Sequence, residues 1–215
     1  MQFTHALFDM DGTLVDSMGY WDEVCGEYLR AVGLYSQEVF DALKPMTLSQ
    51  TAEYLETEFG IKTSQEEIIS RMCQIMLNHY THDVKIKPGI RAFLDALQKK
   101  GVRMCVVSSS PLSLVETCLN RNDLTQYFEF LLSAEEVGKG KTDPDIYLEA
   151  AKRMQAEPSQ TITFEDAMLA GLTAKHAGFL TAAIFDENSV EEWDDFRKEA
   201  DFAFRDWNEA LQLLQ

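Results

Sequence analysis

The chain has 215 residues, of which 46% are hydrophobic, and its formal net charge is −17. This composition excludes an intrinsically disordered protein, and the charge argues against nucleic acid or an anionic membrane as a partner, because both need a cationic surface. No apolar run approaches the roughly 20 residues of a membrane span, and the N-terminus lacks the basic and apolar regions of a secretory signal.

The chain carries four cysteines, none of them in a CxxC pair. This spacing predicts reduced, mostly packed thiols in a cytoplasmic protein, and it argues against a structural zinc site. The length suits one core with or without a smaller inserted domain. We expect a monomer, with a dimer as the alternative.

The first part of the chain begins with one strand and continues with helices. Residues 3–8 are predicted to form the strand. Apolar residues at helical spacing predict helices at 17–32, 47–58 and 64–80. No strand is predicted between residues 17 and 83.

After Pro88, strands alternate with helices. Further strands are predicted at 102–107, 129–132, 161–165, 180–185 and 202–204. Helices are predicted from Pro88 to Gly101, after Ser110-Pro111, after Asp143-Pro144, and at 167–177, 188–199 and 206–214. This alternation is typical of βαβ units and a parallel sheet.

The helical block interrupts this alternation directly after the first strand. We therefore predict an α/β fold with a Rossmann-like parallel-sheet core, formed by residues 1–16 and 84–215. The insert, residues 17–83, is predicted to be an all-helical cap domain. Its hinges are expected near 15–17 and 81–88.

Four carboxylates stand where strands of this core end. Asp9 and Asp11 follow the first strand, and Glu165 and Asp166 close the strand at 161–165. Ligands of open α/β sheets bind at the carboxyl ends of the strands, so we expect these side chains to meet. Their mutual repulsion needs a cation, and oxygen ligands suit Mg²⁺. One carboxylate is then free to act as a nucleophile on phosphorus.

Serines and lysines accompany the carboxylates. Ser108 and Ser109 follow the strand at 102–107, and the segment GKGK contributes Lys139 and Lys141. Each signal also has an ordinary structural interpretation. Ser110 and Asp166 stand where helix caps occur, the lysines suit a solvated loop, and Asp-Gly is common in turns. The joint order of these residues favours a catalytic site.

That order resembles the haloacid dehalogenase-like hydrolase superfamily, in the helical-cap branch that includes β-phosphoglucomutase and phosphoglycolate phosphatase. FDMDGTLVDS is similar to the first motif of the family, Asp-x-Asp-x-Thr, and VVSSS to the second. KTDPD is similar to the third, with Thr142 where the family usually has proline, and Pro144-Asp145 makes Lys141 the matching lysine. FEDAMLAGLTAKHAGF resembles the fourth.

The resemblance implies roles for these residues. The first strand would be central, between the strands at 102–107 and 161–165. Asp9 would attack phosphorus and Asp11 would act as the general acid and base. Mg²⁺ would be held by Asp9, the main-chain carbonyl of Asp11 and Asp166, with Glu165 in support. The transferring phosphoryl group would be bound by Lys141, Ser108 and the main-chain N–H groups of Met10 and Ser109.

The resemblance also indicates which of the activities found in this family the sequence favours. Asp11 disfavours a dehalogenase. A β-phosphoglucomutase-type cap typically carries a histidine where Trp21 stands, and an arginine in the stretch that reads LKPMTLSQ here. We therefore predict a Mg²⁺-dependent phosphatase that hydrolyses a small phosphomonoester, such as a sugar phosphate, through an aspartyl-phosphate. The alternatives are a β-phosphoglucomutase-type phosphomutase and a non-catalytic sensor of a phosphorylated metabolite. The cap residues expected to select the substrate are Tyr20, Lys44, Met46 and Thr47.

Overall fold

The computed structural model describes residues 3–43 and 46–214. The chain divides into two compact units. The core unit runs to Asp16 and resumes at Lys85, and the helical unit spans Ser17–Val84. Within the described ranges, no helix combines the length and the apolar character that a membrane crossing requires.

A six-stranded parallel sheet lies at the centre of the core unit. The strands of the chain are β1 (His5–Phe8), β2 (Val15–Asp16), β3 (Lys85–Ile86), β4 (Arg103–Ser108), β5 (Leu131–Ser133), β6 (Thr161–Glu165), β7 (Leu180–Ile184) and β8 (Phe202–Phe204). The order in the sheet is β5-β4-β1-β6-β7-β8, and every neighbouring pair is parallel. The predicted α/β fold is thus confirmed, and β1 lies between β4 and β6 as expected.

Helices precede and connect the strands. They are α1 (Met18–Val32), α2 (Gln37–Leu43), α3 (Leu48–Phe59), α4 (Gln65–His82), α5 (Ile90–Lys99), α6 (Leu112–Arg121), α7 (Ala134–Val137), α8 (Asp145–Met154), α9 (Met168–His176), α10 (Val190–Glu199) and α11 (Trp207–Ala210). The short elements α2, α7, β2 and β3 were not predicted. The helix expected at 206–214 is α11 followed by a 3₁₀ turn at Leu211–Leu214.

Among the helix starts that differ from the prediction are those of α5, α6 and α8. For α8 the N-cap is Pro144 and the first helical residue is Asp145, so the predicted cap at Asp143 is wrong. Gly89 is the N-cap of α5, with a φ of 85°, so Pro88 lies before the helix and outside its first turn. Pro111, with an extended ψ of 139°, is the N-cap of α6. The prediction that Ser110 caps this helix is therefore wrong, and its side chain is available for other contacts.

An aromatic cluster fixes the centre of the sheet. The rings of Phe8 on β1 and Phe164 on β6 stack at 4.7 Å, and Trp207 packs against both. The indole Nε1 of Trp207 donates a 3.0 Å hydrogen bond to the main-chain carbonyl of Thr13. The loop after β1 is thereby tied to the buried core.

In the helical unit, α1 and α4 are joined by polar contacts as well as by packing. Trp21 Nε1 donates to the hydroxyl of Tyr80 at 3.0 Å. The two ring nitrogens of His79 lie 2.8 Å from Asp83 Oδ2 and 2.8 Å from Glu27 Oε1. Carboxylates only accept hydrogen bonds, so this arrangement favours the protonated imidazole, in which both nitrogens donate.

Candidate active site

Three buried carboxylates meet at the carboxyl end of the sheet. The main-chain N–H of Asp9 donates to the carbonyl of Phe164 at 3.0 Å, which extends the β1–β6 pairing and brings Asp9 level with Glu165. Carboxylate oxygens of Asp9, Glu165 and Asp166 all lie within 4.8 Å of one another. Each residue is at least nine-tenths buried. Like charges at this distance destabilise each other unless a cation is present.

One cation, the ammonium of Lys141, contacts two of these carboxylates. Its Nζ donates to Asp9 Oδ1 and, at 2.9 Å, to Glu165 Oε1. Lys139, two residues earlier, is half exposed and pairs with Asp145 at 2.8 Å. The structure thus separates the two lysines of GKGK, with Lys141 in the site and Lys139 on the surface.

Tyr147 is a site residue that the sequence analysis missed. It lies in the first turn of α8, is fully buried, and donates from its hydroxyl to Glu165 Oε1 at 2.8 Å. Glu165 Oε1 therefore accepts from Tyr147 and Lys141 together. The available signal was that Tyr147 falls on the apolar face of the helix after KTDPD. A buried tyrosine needs a hydrogen-bond partner, and the site supplies it.

Burial and repulsion shift the ionisation of the carboxylates. Burial raises the pKa of Asp9 well above its ordinary value, Lys141 opposes this, and the neighbouring acids add to it. The pKa of Asp166 is raised to about 7 by burial and by the charges of Glu165 and Asp186. Burial disfavours the ammonium of Lys141, but Asp9 and Glu165 outweigh it and raise the pKa of that group.

The donor set fits a hard divalent cation. All three carboxylates offer oxygen, as Mg²⁺ prefers, and one lysine does not balance their charge. The side chain of Asp11 is outside this group of three, and its Oδ2 accepts a 2.8 Å hydrogen bond from the hydroxyl of Ser110. Coordination through the main-chain carbonyl of Asp11 stays a prediction.

The contact between Ser110 and Asp11 gives the serine a place in the site. The carbonyl of Ser110 accepts from the hydroxyl of Ser133 on β5 at 2.8 Å, and its N–H donates to Ser108 Oγ at 3.0 Å. Gly12 adopts a φ of 77° directly after Asp11, where a side chain would be strained. Asp11 is therefore held by a turn on one side and by a hydroxyl on the other.

The residues predicted to bind phosphate lie at the same edge. Phe8 pairs with Val106, so Met10 and Ser108 both follow this pair by two residues. Ser108 is buried, whereas Ser109 is exposed. The main-chain N–H groups of Met10 and Ser109, with Ser108 and Lys141, stay the predicted phosphate contacts.

Asp166 is not a helix cap, because Ala167 is the N-cap of α9. Its carboxylate instead accepts from the hydroxyl of Thr13 at 3.3 Å on one oxygen and from that of Ser189 at 3.4 Å on the other. Ser189 was missed, since nothing in the sequence links residues on the loops after β6 and β7. The contact depends on these strands being neighbours.

The predicted cap residues have structural contacts inside the helical unit. The ring of Tyr20 lies 4.7 Å from that of His79. Thr47 is the N-cap of α3 and shares a capping box with Gln50. Met46 lines a surface cavity of about 370 Å³ beside α3. Lys44 lies outside the described residues. The role of these four residues in substrate selection stays a prediction.

Comparison with known proteins adds four findings. The family described as haloacid dehalogenase-like hydrolase matches residues 6–184. A phosphorylated carbohydrates phosphatase of Thermotoga maritima is 27% identical over 173 residues, covering 80% of each chain. Hexitol phosphatase B of Escherichia coli K12 is 26% identical over 179 residues, covering 82% of this chain and 81% of the relative. A Thermotoga maritima structure provisionally assigned as a β-phosphoglucomutase has a TM-score of 0.79, 24% identity and 98% coverage of both chains.

Proposed function

Because the chain belongs to the haloacid dehalogenase-like hydrolase family, we propose that it is a Mg²⁺-dependent phosphatase acting through an aspartyl-phosphate. The observation that most directly supports this proposal is the buried contact of Lys141 with Asp9, beside Glu165 and Asp166. The relatives named for phosphorylated carbohydrates and hexitols favour a small sugar or polyol phosphate as the substrate.

Asp9 is the proposed nucleophile. Lys141 holds one of its oxygens, and the other is assigned as the attacking atom. A bond forms between this oxygen and phosphorus while the bond from phosphorus to the ester oxygen breaks. The ammonium of Lys141 stays charged, because its carboxylate partners raise its pKa, and it stabilises the charge of the transferring phosphoryl group.

Asp11 is the proposed general acid and base. As a carboxylic acid it gives its proton to the departing ester oxygen, which leaves as an alcohol. As a carboxylate it then takes a proton from water, whose oxygen attacks phosphorus and displaces Asp9. Acid and base help of this kind contributes about 10²–10⁴-fold. The hydroxyl of Ser110, 2.8 Å from Asp11 Oδ2, orients this side chain.

Asp9, Asp166 and the carbonyl of Asp11 would hold Mg²⁺, with Glu165 in support. When bound, the cation neutralises charge on the carboxylates and on the phosphoryl oxygens. Asp9 must be ionised to attack, and burial raises its pKa. The fixed residue that favours its ionised form is Lys141, whose ammonium contacts it.

Phosphatase activity is favoured over a phosphomutase by the cap. Trp21 stands where a mutase cap would carry a histidine, and its indole is engaged by Tyr80 within the helical unit. The likeness to the structure assigned as a β-phosphoglucomutase, at 24% identity, concerns the fold. A phosphomutase remains the alternative function, and the experiment below also tests for it.

The test measures phosphate release from sugar and polyol phosphates, with Mg²⁺ and with a chelator. We expect release that requires Mg²⁺ and is abolished by Asp9→Asn. The matched control is Asp194→Asn, which changes an exposed aspartate of α10 and should keep full activity. Substantial Mg²⁺-dependent release by Asp9→Asn contradicts the mechanism. No release from any ester, together with isomerisation of β-glucose 1-phosphate, replaces the phosphatase with the mutase.

A further inference from the structure

A second, largely buried ion pair lies beside the carboxylate group. Lys87 follows β3, and its Nζ donates to Asp186 Oδ2 and, at 3.3 Å, to the carbonyl of Phe185. The side chain of Asp186 is only 2% exposed and that of Lys87 13%. Burying two charges carries a desolvation penalty, so such a pair is weak evidence for a purely stabilising role. The contacts of Asp186 with the neighbouring turn indicate a different role for this pair.

Asp186 organises the turn that follows β7. Its second carboxylate oxygen accepts from the main-chain N–H of Asn188 at 2.9 Å, and its carbonyl accepts from the N–H of Ser189 at 3.2 Å. Lys87 thus holds one oxygen of Asp186 while the other fixes the turn at 186–189. Lys87 therefore contacts the same carboxylate that shapes this turn.

Ser189, at the end of this turn, contacts Asp166. It is the N-cap of α10, where a serine hydroxyl commonly accepts from the first turn of the helix, but it makes no such bond. Its Oγ donates instead to Asp166 Oδ2 at 3.4 Å. The other oxygen of Asp166 accepts from Thr13 at 3.3 Å. Two hydroxyls, from the loops after β1 and β7, therefore orient one carboxylate.

We propose that Lys87 and Asp186 are positioning residues for Asp166. They hold the turn at 186–189 so that Ser189 orients the Asp166 carboxylate toward a divalent cation. This inference rests on the proposed function, because it takes Asp166 as a cation ligand. Partners of metal ligands commonly change affinity 10–100-fold when they are removed.

Charge and positioning predict opposite results for Lys87. Removing a positive charge near the carboxylates should strengthen cation binding if the long-range field alone matters. Releasing the turn should weaken it, because Asp166 loses an orienting hydroxyl. The sign of the change therefore separates the two explanations.

The experiment titrates the metal-free chain of 215 residues with Mg²⁺ alone by calorimetry. We expect Lys87→Met and Ser189→Ala each to weaken binding about 10-fold. The double variant should be no weaker than the stronger single effect, since both changes act through the same hydroxyl. The matched control is Lys175→Met. Lys175 also donates to one aspartate, Asp201 at 2.9 Å, and to one carbonyl, that of Glu199 at 2.6 Å. Its removal should leave Mg²⁺ affinity unchanged.

Unchanged or tighter binding by Lys87→Met overturns the proposal, and so do additive effects in the double variant. Ser189→Ala tests the same contact without removing a charge, and wild-type affinity in this variant also overturns the proposal. If the wild-type chain releases phosphate and binds Mg²⁺ while the variants match it, only the positioning role fails. If the wild-type chain binds no Mg²⁺, the metal assignment of the proposed function fails with it.

Discussion

Replacing Lys141 with methionine tests the electrostatics of the site without reference to catalysis. Methionine keeps an apolar stem of similar length and removes the ammonium that contacts Asp9 and Glu165. All three side chains are nine-tenths buried or more, so water cannot replace the lost partner. The variant leaves Asp9, Glu165 and Asp166 as a buried group of acids without its lysine.

Removing one partner of a buried ion pair typically costs about 3–5 kcal/mol. For a chain of this size, roughly 2–4 °C of melting temperature corresponds to each kcal/mol, so we expect a decrease of about 6–20 °C at about pH 8. The acids can escape part of this penalty by binding protons. Their pKa values are already raised by burial and rise further in the variant, so the folded state takes up protons that the unfolded state does not. The decrease in melting temperature should therefore be smaller at about pH 5.

The assay is thermal unfolding of the metal-free protein at both pH values, with Lys139→Met as the matched control. Lys139 is half exposed, and its ion pairs lie at the surface, so its removal should leave the melting temperature unchanged. A Lys141→Met variant that melts with the control at the higher pH would refute the buried contact. A penalty that grows toward low pH would refute the proposed cause.

Three further predictions concern packing and ionisation. Gly171→Ala places a Cβ 2.3 Å from the buried ring of Phe196, so unfolding measurements should show a loss of about 1–3 kcal/mol, whereas Gly19→Ala, with no atom within 4 Å, should be neutral or stabilising. Burial lowers the pKa of His79, but its hydrogen bonds to the two flanking carboxylates outweigh this and raise it. The stability it adds is complete below about pH 6.5 and is lost as pH rises through the raised pKa, so the wild-type advantage in melting temperature over His79→Gln should shrink toward alkaline pH; a constant difference contradicts this. Burial raises the pKa of Cys118 to about 12, so alkylation near neutral pH should modify this thiol only after denaturation.

The parallel sheet was predictable from local hydrophobic patterns, and the grouping of the buried carboxylates from the joint order of several individually weak signals. The strands at 161–165 and 202–204 begin and end where the hydrophobic pattern predicts. Asp9 and Asp166 follow strands that are adjacent in the sheet, and the rule that ligands bind at carboxyl strand ends was enough to group them.

The short elements and the supporting contacts were not predictable in this way. A four-residue helix at Ala134–Val137 and two-residue strands have little periodicity of their own and depend on their neighbours for stability. The contacts of the Ser110 and Tyr147 hydroxyls were also not predictable, because their partners are distant in the sequence. A serine before a proline predicts a cap from local geometry, but here the helix begins one residue later and the hydroxyl bonds to Asp11.

The central position of β1 has a consequence for synthesis of the chain. β1 is made before either of its sheet partners, since β4 begins at Arg103 and β6 at Thr161. At about 5–20 residues per second, the ribosome needs roughly 8–30 s to proceed from Asp9 to Asp166. During this interval the nascent chain exposes an apolar strand with two unpaired edges, which favours wrong pairing. We therefore expect newly made β1 to be a binding site for chaperones until β6 emerges and Asp9 meets Asp166.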